Sequence, residues 1–169
     1  MRADQKIILM QGPPASGKSV LAMIEQSRDP ENTVIVSRDA FRHARGKYWI
    51  PSQERYIAAI EQYAVDEALC MGYTVIVDAT NMNPMVINDF IAMAEARFIP
   101  VYGWMVHETL EKCLERDRNT IRLHNVGETV ITDFYKKYVD YCNQHNIEMV
   151  PGTVTKYPIY DPKTVNTIV

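Results

Sequence analysis

The chain has 169 residues, of which 47% are hydrophobic and 23% are charged, and its formal net charge is -3. This composition excludes an intrinsically disordered chain, and the length fits one domain, so we expect residues 1–169 to form a single domain. The mild acidity argues against a broad surface that coats nucleic acid, but a local basic groove is compatible with it.

Cysteine usage and apolar runs bear on the cellular setting. The three cysteines, Cys70, Cys113 and Cys142, lack the spacing of a metal site, and a reduced setting is the simplest interpretation. The apolar run at residues 7–10 is far too short for a signal sequence or a membrane span. We therefore expect a cytoplasmic protein with no membrane partner.

The first predicted strand, residues 7–10, leads into a glycine-rich loop and a helix predicted for residues 17–28. The loop, residues 12–19, has the sequence GPPASGKS and matches the P-loop pattern GxxxxGK[ST] at every fixed position. In this pattern backbone N–H groups wrap the phosphates of a nucleotide, and the helix N-terminus adds positive potential. Lys18 can reach the β- and γ-phosphates and Ser19 can ligate Mg²⁺, so we expect ATP and Mg²⁺ to bind. The predicted nucleotide-binding residues of this segment are Gly12, Ala15, Ser16, Gly17, Lys18, Ser19 and Val20.

The second predicted strand, residues 33–36, is followed directly by the sequence SRDAFR, in which Ser37 is placed to cap a helix. Asp39 and Arg42 are three residues apart and would share one helix face. A carboxylate at this place can accept a proton from a substrate hydroxyl, and a guanidinium can bind an anionic part of the substrate. A solvated surface ion pair is the alternative interpretation.

Cations and aromatic residues interleave in and after this segment. They are Arg38, Phe41, Arg42, His43, Arg45, Lys47, Tyr48 and Trp49. Such a mixture suits a single-stranded nucleic-acid end, which binds by stacking and charge. A loop whose aromatic residues pack on the core is the alternative.

A long helix is predicted for residues 52–71, with Ser52 as its N-cap and Gly72 as the residue after its C-cap. Its predicted apolar stripe is Ile57, Ile60, Ala64, Ala68 and Leu69. The third predicted strand, residues 74–77, ends in Asp78, which is the usual Walker B arrangement. Asp78 can hold Mg²⁺ or its waters, although a turn cap for residues 79–81 is the alternative role.

The remaining elements continue the alternation of strands and helices. Asn83 and Pro84 open the next predicted helix, with proline at the first helical position. The later predictions are a strand at Val101–Val106, helices at 109–116 and 128–142, and a short strand near 153–157. This alternation predicts a mostly parallel sheet that is covered by helices on both faces.

Cationic residues cluster in and after the helix predicted for residues 109–116. They are Lys112, Arg116, Arg118 and Arg122. An arginine here can neutralise the charge of a transferring phosphoryl group, as an arginine finger does. Acidic residues interleave with these cations, so a basic helix surface is the alternative interpretation, above all for Arg116.

Four segments resemble, in order, the kinase domain of bacteriophage-type polynucleotide 5′-hydroxyl kinases, a family of P-loop kinases. They are the P-loop with its preceding strand, residues 37–42, residues 78–84 and residues 118–122, and residues 134–138 are also similar. The resemblance covers roughly residues 6–142 and implies an α/β fold, a P-loop kinase-like parallel sheet of four or five strands with helices on both faces. One departure is Ala79, which stands where the phage-type pattern has an aspartate.

The resemblance implies that the γ-phosphoryl group of ATP is transferred to a 5′-hydroxyl end of DNA or RNA, so nucleic-acid 5′ ends are the expected partner. It implies that Asp39 is the general base, that Arg42 grips the acceptor phosphate and that Arg122 contacts the donor phosphates. The catalytic residues expected are Lys18, Asp39 and Arg122. The other expected sites are Arg118 and Arg122 for nucleotide, Arg38, Asp39, Arg42, Thr80 and Asn81 for substrate, and Ser19 and Asp78 for metal.

Two other functions are compatible with the same motifs. The first is a P-loop kinase of a small hydroxylated molecule such as a nucleoside, a sugar nucleotide or an antibiotic. The second is a nucleotide-binding regulatory module. A nucleic-acid acceptor should bind less tightly as salt rises, whereas a neutral small acceptor should respond little.

Overall fold

The computed structural model describes residues 4–119 and 125–165, and within them five strands form a single sheet. The strands are β1 (Ile7–Gln11), β2 (Thr33–Ser37), β3 (Thr74–Asp78), β4 (Val101–Val106) and β5 (Val154–Tyr160). Their order across the sheet is β2-β3-β1-β4-β5, and the first four strands of the chain are parallel. The predicted strands are confirmed, since each begins at or within one residue of the expected position.

Helices cover both faces of the sheet. They are α1 (Lys18–Gln26), α2 (Arg38–His43), α3 (Glu54–Cys70), α4 (Pro84–Glu95), α5 (Leu110–Asn119), α6 (Glu128–Gln144) and α7 (Pro162–Val165). One face packs against α3, α4 and α6, where Phe90 and Tyr138 join Ile7 and Leu9 in the larger core cluster. The other face packs against α1, whose Ala22 belongs to a second cluster. The predicted fold class is therefore confirmed.

The last strand, β5, runs antiparallel to β4 at the edge of the sheet. One helix between two strands carries the chain back across the sheet, so the next strand runs parallel to the previous one. Two successive helices, α5 and α6, lie between β4 and β5, so the chain enters β5 from the end of the sheet at which β4 finished. The two strands approach closely at Gly103, where a Cβ would lie 2.6 Å from the ring of Tyr157. Glycine is therefore required at this point of β4.

The start of α3 differs from its prediction, whereas its end is as predicted. A 3-10 turn occupies Pro51–Gln53 and the helix begins after it, so Ser52 is not the N-cap. Proline starts the turn here because its fixed φ suits a first helical position. Gly72, with a φ of 89°, lets the N–H of Tyr73 donate back to the carbonyl of Ala68 at 3.0 Å. This closure is the Schellman motif.

The buried face of α3 is rotated relative to the predicted apolar stripe. Ile60 and Ala64 are only partly buried, while Glu61 is fully buried. The buried residues are Ile57, Glu61, Val65, Ala68 and Leu69. A carboxylate oxygen of Glu61 lies 2.5 Å from Nε of Arg38 on α2, and this ion pair explains how a charged residue is accommodated in the core-facing side.

The C-terminal ends of the parallel strands meet at one edge of the sheet, where ligands bind in such folds. The P-loop follows β1, α2 follows β2, and Asp78 ends β3 directly opposite Ser37. Ser37 occupies the N-cap position of α2, although its side chain makes no capping hydrogen bond. Asn83 and Pro84 open α4 as predicted, and the side chain of Asn83 also caps this helix. Among the residues that the structure describes, no helix is both long enough and apolar enough to cross a membrane.

Candidate functional site

Backbone geometry shapes the P-loop between β1 and α1. Gly12 and Gly17 have φ angles of 123° and 109°, and Ala15 has a φ of 62°, all in the left-handed region. A Cβ on Gly12 would lie 2.6 Å from the carbonyl oxygen of Val106, so this position requires glycine. The N–H groups of the first turn of α1, residues 18–20, have no acceptor within the helix, by the geometry of an α-helix.

The side chains of the loop fit the phosphates of a nucleotide. The hydroxyl of Ser16 is buried and has no hydrogen-bond partner in the described part of the chain, and a phosphate oxygen would satisfy it. Lys18 is 8% exposed, and its ammonium group donates to the carbonyl of Pro13 at 2.6 Å. Ser19 and Val20 are exposed at the helix N-terminus, the position at which anions bind. These groups suit a triphosphate, with Lys18 at its β- and γ-phosphates.

Arg116 of α5 braces the P-loop from outside. Its Nη1 donates to the carbonyl oxygens of Ser16 at 3.0 Å and Ala15 at 3.4 Å, and its Nη2 donates to the buried carboxylate of Glu108 at 2.7 Å. The C=O and N–H groups of a trans peptide point in opposite directions, so a bond to the Ser16 carbonyl directs the N–H of Gly17 to the other side of the loop. Arg116 thus contacts the P-loop backbone and Glu108, and this role differs both from an arginine finger and from a solvated basic helix surface.

The candidate magnesium ligands are Ser19 and Asp78. Asp78 is partly buried at the end of β3, the strand beside β1 in the sheet. Across the described residues there is no group of three or more His, Cys, Asp or Glu side chains that could hold a metal ion. Mg²⁺ commonly keeps several waters and takes substrate phosphates with one or two protein ligands, so a hydroxyl and a carboxylate suit an ion that binds together with a nucleotide.

Asp39 of α2 has one constrained and one open carboxylate oxygen. Its Oδ1 accepts hydrogen bonds from Nη1 of Arg42 at 2.6 Å and from the hydroxyl of Tyr48 at 2.8 Å. No hydrogen bond to Oδ2 occurs within the described residues, and the side chain is 59% exposed. Burial, aided by the charge of Asp39, raises the pKa of Tyr48 to about 12, so the phenol keeps its proton and acts as a donor.

Arg42 is largely enclosed by its neighbours. It forms a bidentate pair with Glu54, at 2.5 Å from Nη2 and 3.1 Å from Nε, in addition to its bond with Asp39. Its guanidinium carbon lies 5.6 Å from the ring centre of Tyr48 and 5.4 Å from that of Trp49. Burial lowers the pKa of Arg42, but the hydrogen bonds to Glu54 and Asp39 outweigh this effect and the pKa is raised. An acceptor anion at Arg42 would therefore replace one of these carboxylates.

A cavity of about 490 Å³ lies between the segment after β3 and helix α6, and we call it the α6 cavity. Its lining includes Arg38, Thr80 and Asn81, three of the residues predicted to bind substrate. The other two predicted substrate residues, Asp39 and Arg42, do not belong to this lining. The residues of α6 in the lining are Phe134, Lys137, Asp140, Tyr141 and Gln144.

Arg38 is held beside the α6 cavity by Glu61 of α3. Burial raises the pKa of Glu61, and the charge of Arg38 counteracts this effect. The second carboxylate oxygen of Glu61 is buried and has no partner in the part of the chain that the structure describes. The guanidinium group of Arg38 is therefore already paired with the Glu61 carboxylate, and this ion pair fixes the position of Arg38.

A buried polar network joins the P-loop strand to the α6 cavity. Gln11, the last residue of β1, donates through Nε2 to the carbonyl of Asn81 at 2.8 Å and to the hydroxyl of Tyr141 at 3.1 Å. Its Oε1 accepts a hydrogen bond from the hydroxyl of Tyr157. Asn81 has a φ of 40°, and its side-chain amide donates to one carbonyl of β1 and one of β3, both at 2.9 Å. The loop after β3 is thereby fixed to the strand that carries the P-loop.

The connection between α5 and α6 is fastened where the structure describes it. Asp117 is buried and accepts hydrogen bonds from two consecutive backbone N–H groups just before α6, at 2.9 and 3.0 Å. Arg118, which we predicted to bind nucleotide, pairs with Glu128 at 2.8 Å, and both side chains are exposed. Arg122, the predicted catalytic arginine, lies outside the described residues.

The sequence analysis did not single out Gln11, Glu61 or Glu108 as site residues. Glu61 interrupts an apolar stripe, and Glu108 follows a predicted strand at the edge where the site lies, so both had a detectable signal. Gln11 had none, because a glutamine beside a P-loop has no distinctive pattern.

One protein-family model matches most of the chain. It is AAA_33, described as an AAA domain, and it matches residues 7–138. A comparison with curated proteins finds no significant match.

Several solved structures share the fold. A chain of the Pnkp1/Rnl/Hen1 RNA repair complex superposes with a TM-score of 0.73 at 21% identity, over 90% of this chain and 50% of that chain. The present chain thus spans about half the length of that relative. The APS kinase CysC of Mycobacterium tuberculosis has a TM-score of 0.56 at 17% identity, with 70% and 71% of the two chains covered. A gluconokinase from Sinorhizobium meliloti 1021 has a TM-score of 0.54 at 15% identity, with 80% and 76% covered. The fold is that of P-loop kinases.

Proposed function

Because the chain belongs to the AAA_33 family of AAA domains and has a P-loop kinase fold, we propose that it transfers the γ-phosphoryl group of ATP to the 5′-hydroxyl end of DNA or RNA. The observation that carries the proposal is the state of Asp39. Arg42 and Tyr48 constrain one of its carboxylate oxygens, and the other has no partner among the described residues in an exposed side chain. Such a carboxylate can accept the proton of an attacking hydroxyl.

The donor side of the proposed reaction uses the P-loop. Lys18 and the N–H groups of residues 17–20 hold the phosphates, and Arg116 keeps the Gly17 N–H directed at them. Mg²⁺, when bound, neutralises charge on the β- and γ-phosphates. Ser19 and Asp78 would hold that ion. We also assign to the donor site Arg118, which lies in the last turn of α5, and Arg122, as the resemblance implies.

The acceptor side uses the cluster around α2 and the α6 cavity. Arg38, Thr80 and Asn81 line the cavity and would contact the acceptor. Arg42 would bind the acceptor phosphate nearest the reacting hydroxyl in place of Glu54, and its hydrogen bond to Asp39 would be kept. The RNA repair complex among the structural neighbours supports a nucleic-acid acceptor.

A transfer assay with γ-labelled ATP tests the proposal. The acceptors are an oligonucleotide with a free 5′-hydroxyl, the same oligonucleotide with a 5′-phosphate, gluconate and APS. We expect label only on the free 5′-hydroxyl. Transfer to a small molecule without transfer to the oligonucleotide would replace the proposal with the second candidate below, and transfer to nothing would favour a regulatory module.

A small hydroxylated acceptor is the second candidate, and the size of the α6 cavity favours it. A volume of about 490 Å³ falls within the range of small-molecule sites, which is about 300–1,000 Å³. The APS kinase and gluconokinase neighbours are small-molecule kinases by name. Such an enzyme would show little dependence on salt, because its acceptor has no chain of phosphates.

A further inference from the structure

One wall of the α6 cavity consists of residues from a single helix face. Phe134, Lys137 and Tyr141 are spaced three and four residues apart on α6, so they lie in one row along the helix. Tyr141 is anchored at the inner end of the row by its hydrogen bond to Gln11. Phe134 and Lys137 continue the row from that anchor towards the start of the helix. The wall is therefore held on a rigid element with one end fixed in the buried network.

The two outer residues of the row form an aromatic and cationic pair. The ammonium nitrogen of Lys137 lies 4.9 Å from the ring centre of Phe134. Phe134 is only partly buried and Lys137 is exposed. An aromatic face beside a cation is the combination with which proteins bind single-stranded nucleic acid, because the ring stacks on a base and the cation meets the backbone.

Lys137 differs in its partners from the other basic residue of the cavity. Arg38 is in contact with the carboxylate of Glu61 at 2.5 Å. In the described part of the chain, Lys137 makes no ion pair with a carboxylate, and its charge meets only the ring of Phe134. Asp140 also lines the cavity, without a bond to Lys137. An acceptor anion can therefore bind Lys137 without displacing a carboxylate, whereas at Arg38 or Arg42 it meets an existing ion pair.

We propose that Phe134 and Lys137 bind the nucleotide that follows the reacting one, with its base on the Phe134 ring and the phosphate on its 3′ side at Lys137. The inference rests on the proposed function, and it makes a second nucleotide part of what the site recognises. The pair is a specificity determinant and takes no part in the chemistry. It favours a polymer over a nucleoside 3′-monophosphate, which ends before this contact.

The test compares two acceptors in the full chain, a nucleoside 3′-monophosphate and a tetranucleotide with a free 5′-hydroxyl. The variants are Phe134→Leu, Lys137→Gln and the matched control Lys136→Gln, which changes an exposed neighbouring lysine outside the cavity lining. For Phe134→Leu we expect the KM of the tetranucleotide to rise about tenfold, from the loss of one stacking contact. For Lys137→Gln we expect the slope of log KM against log salt to fall by about 0.7, which is the share of one phosphate on a single strand.

Neither variant should change the KM of the nucleoside 3′-monophosphate, and the control should match the wild type on both acceptors. Equal effects on both acceptors, or no difference from Lys136→Gln on the tetranucleotide, would overturn the inference while the proposed function stands. If the wild type transfers phosphate to neither acceptor, the proposed function fails, and the inference fails with it.

Discussion

Asp39 is the residue on which the proposed chemistry depends most directly. Asp39→Asn keeps the shape and the hydrogen-bond acceptor for Arg42 and Tyr48 but removes the basic site. We expect transfer to slow by about 10²- to 10⁴-fold, the typical contribution of general base catalysis. ATP binding should be unchanged, because Asp39 lies on α2 and not in the P-loop. Single-turnover assays measure the rate of transfer, and titration with nucleotide measures the affinity for ATP. A loss of ATP affinity in Asp39→Asn would contradict the prediction and would place Asp39 on the donor side.

We expect Arg116 to affect nucleotide binding through the two backbone carbonyls that it contacts. In Arg116→Ala the carbonyls of Ala15 and Ser16 lose their partner, so the N–H of Gly17 is no longer directed into the loop. A charged hydrogen bond is worth about 1.5–3 kcal/mol, so we expect the KM for ATP to rise about tenfold or more. Arg116→Lys should recover part of this loss.

The matched control for that experiment is Arg28→Ala, which removes an arginine from an exposed ion pair with Glu25 at the other end of α1. It should leave the KM for ATP at the wild-type value. A KM in Arg116→Ala equal to that of Arg28→Ala would show that the contact with the loop has no effect on nucleotide binding.

His107, which follows β4 directly, links the end of that strand to α6 and β5. Its ring nitrogens lie 2.7 Å from the hydroxyl of Tyr138 and 2.8 Å from that of Thr155. Burial lowers the pKa of His107 below its ordinary value of 6.5. The unfolded chain therefore binds this proton more readily, so the stability due to neutral His107 is present above about pH 6.5 and is lost as the pH falls below it.

Thermal unfolding between about pH 5 and pH 8 checks this expectation. The melting temperature of the wild type should fall on the acid side, and His107→Gln, which keeps a donor and an acceptor, should show a smaller fall. His145→Gln, at the exposed C-cap of α6, is the matched control and should keep the wild-type dependence. Identical acid profiles for the wild type and His107→Gln would contradict the prediction.

The elements themselves differ in how far the sequence specifies them. Strands β1 to β4 were predictable because each is a short apolar run with a polar break after it, and Gly72 and Asn83 marked helix ends by their own chemistry. The direction of β5 was not predictable, since strand pattern is the same in both directions. The centre of α3 was mispredicted because the burial of Glu61 depends on Arg38, which lies 23 positions away.

The candidate site also has one part that could be predicted from the sequence and one part that could not. The P-loop is a local pattern whose spacing carries its chemistry, so its residues could be named from the sequence. The bracing of the loop by Arg116 and the contact of Gln11 with Asn81 join residues about 100 and 70 positions apart. Such contacts arise from the packing of elements and leave no mark in local spacing.

At the scale of the whole molecule, nucleotide should stabilise the fold by mass action. A ligand at 100 times its Kd adds about 2.7 kcal/mol, and a chain of this size gains about 2–4 °C per kcal/mol. We therefore expect a non-hydrolysable ATP analogue with Mg²⁺ to raise the melting temperature by about 5–10 °C. A chelator should reduce the shift, because we propose that Ser19 and Asp78 would hold an Mg²⁺ ion that binds together with the nucleotide.

The Lys18→Ala variant is the control for this shift, since it removes the ammonium group from the loop. It should melt close to the wild type without ligand and gain much less from the analogue. A full shift in Lys18→Ala would mean that the analogue binds outside the P-loop.

Gln11 fixes the proposed donor and acceptor sites relative to each other. Its buried side chain joins the loop after β3 to the strand that leads into the P-loop, so the distance between the proposed donor and acceptor sites is set by the fold before either substrate binds. Each of the two proposed sites is therefore formed before the other substrate binds. If the proposed function is right, initial-rate kinetics should therefore be sequential with random order, because neither substrate has to form the site of the other.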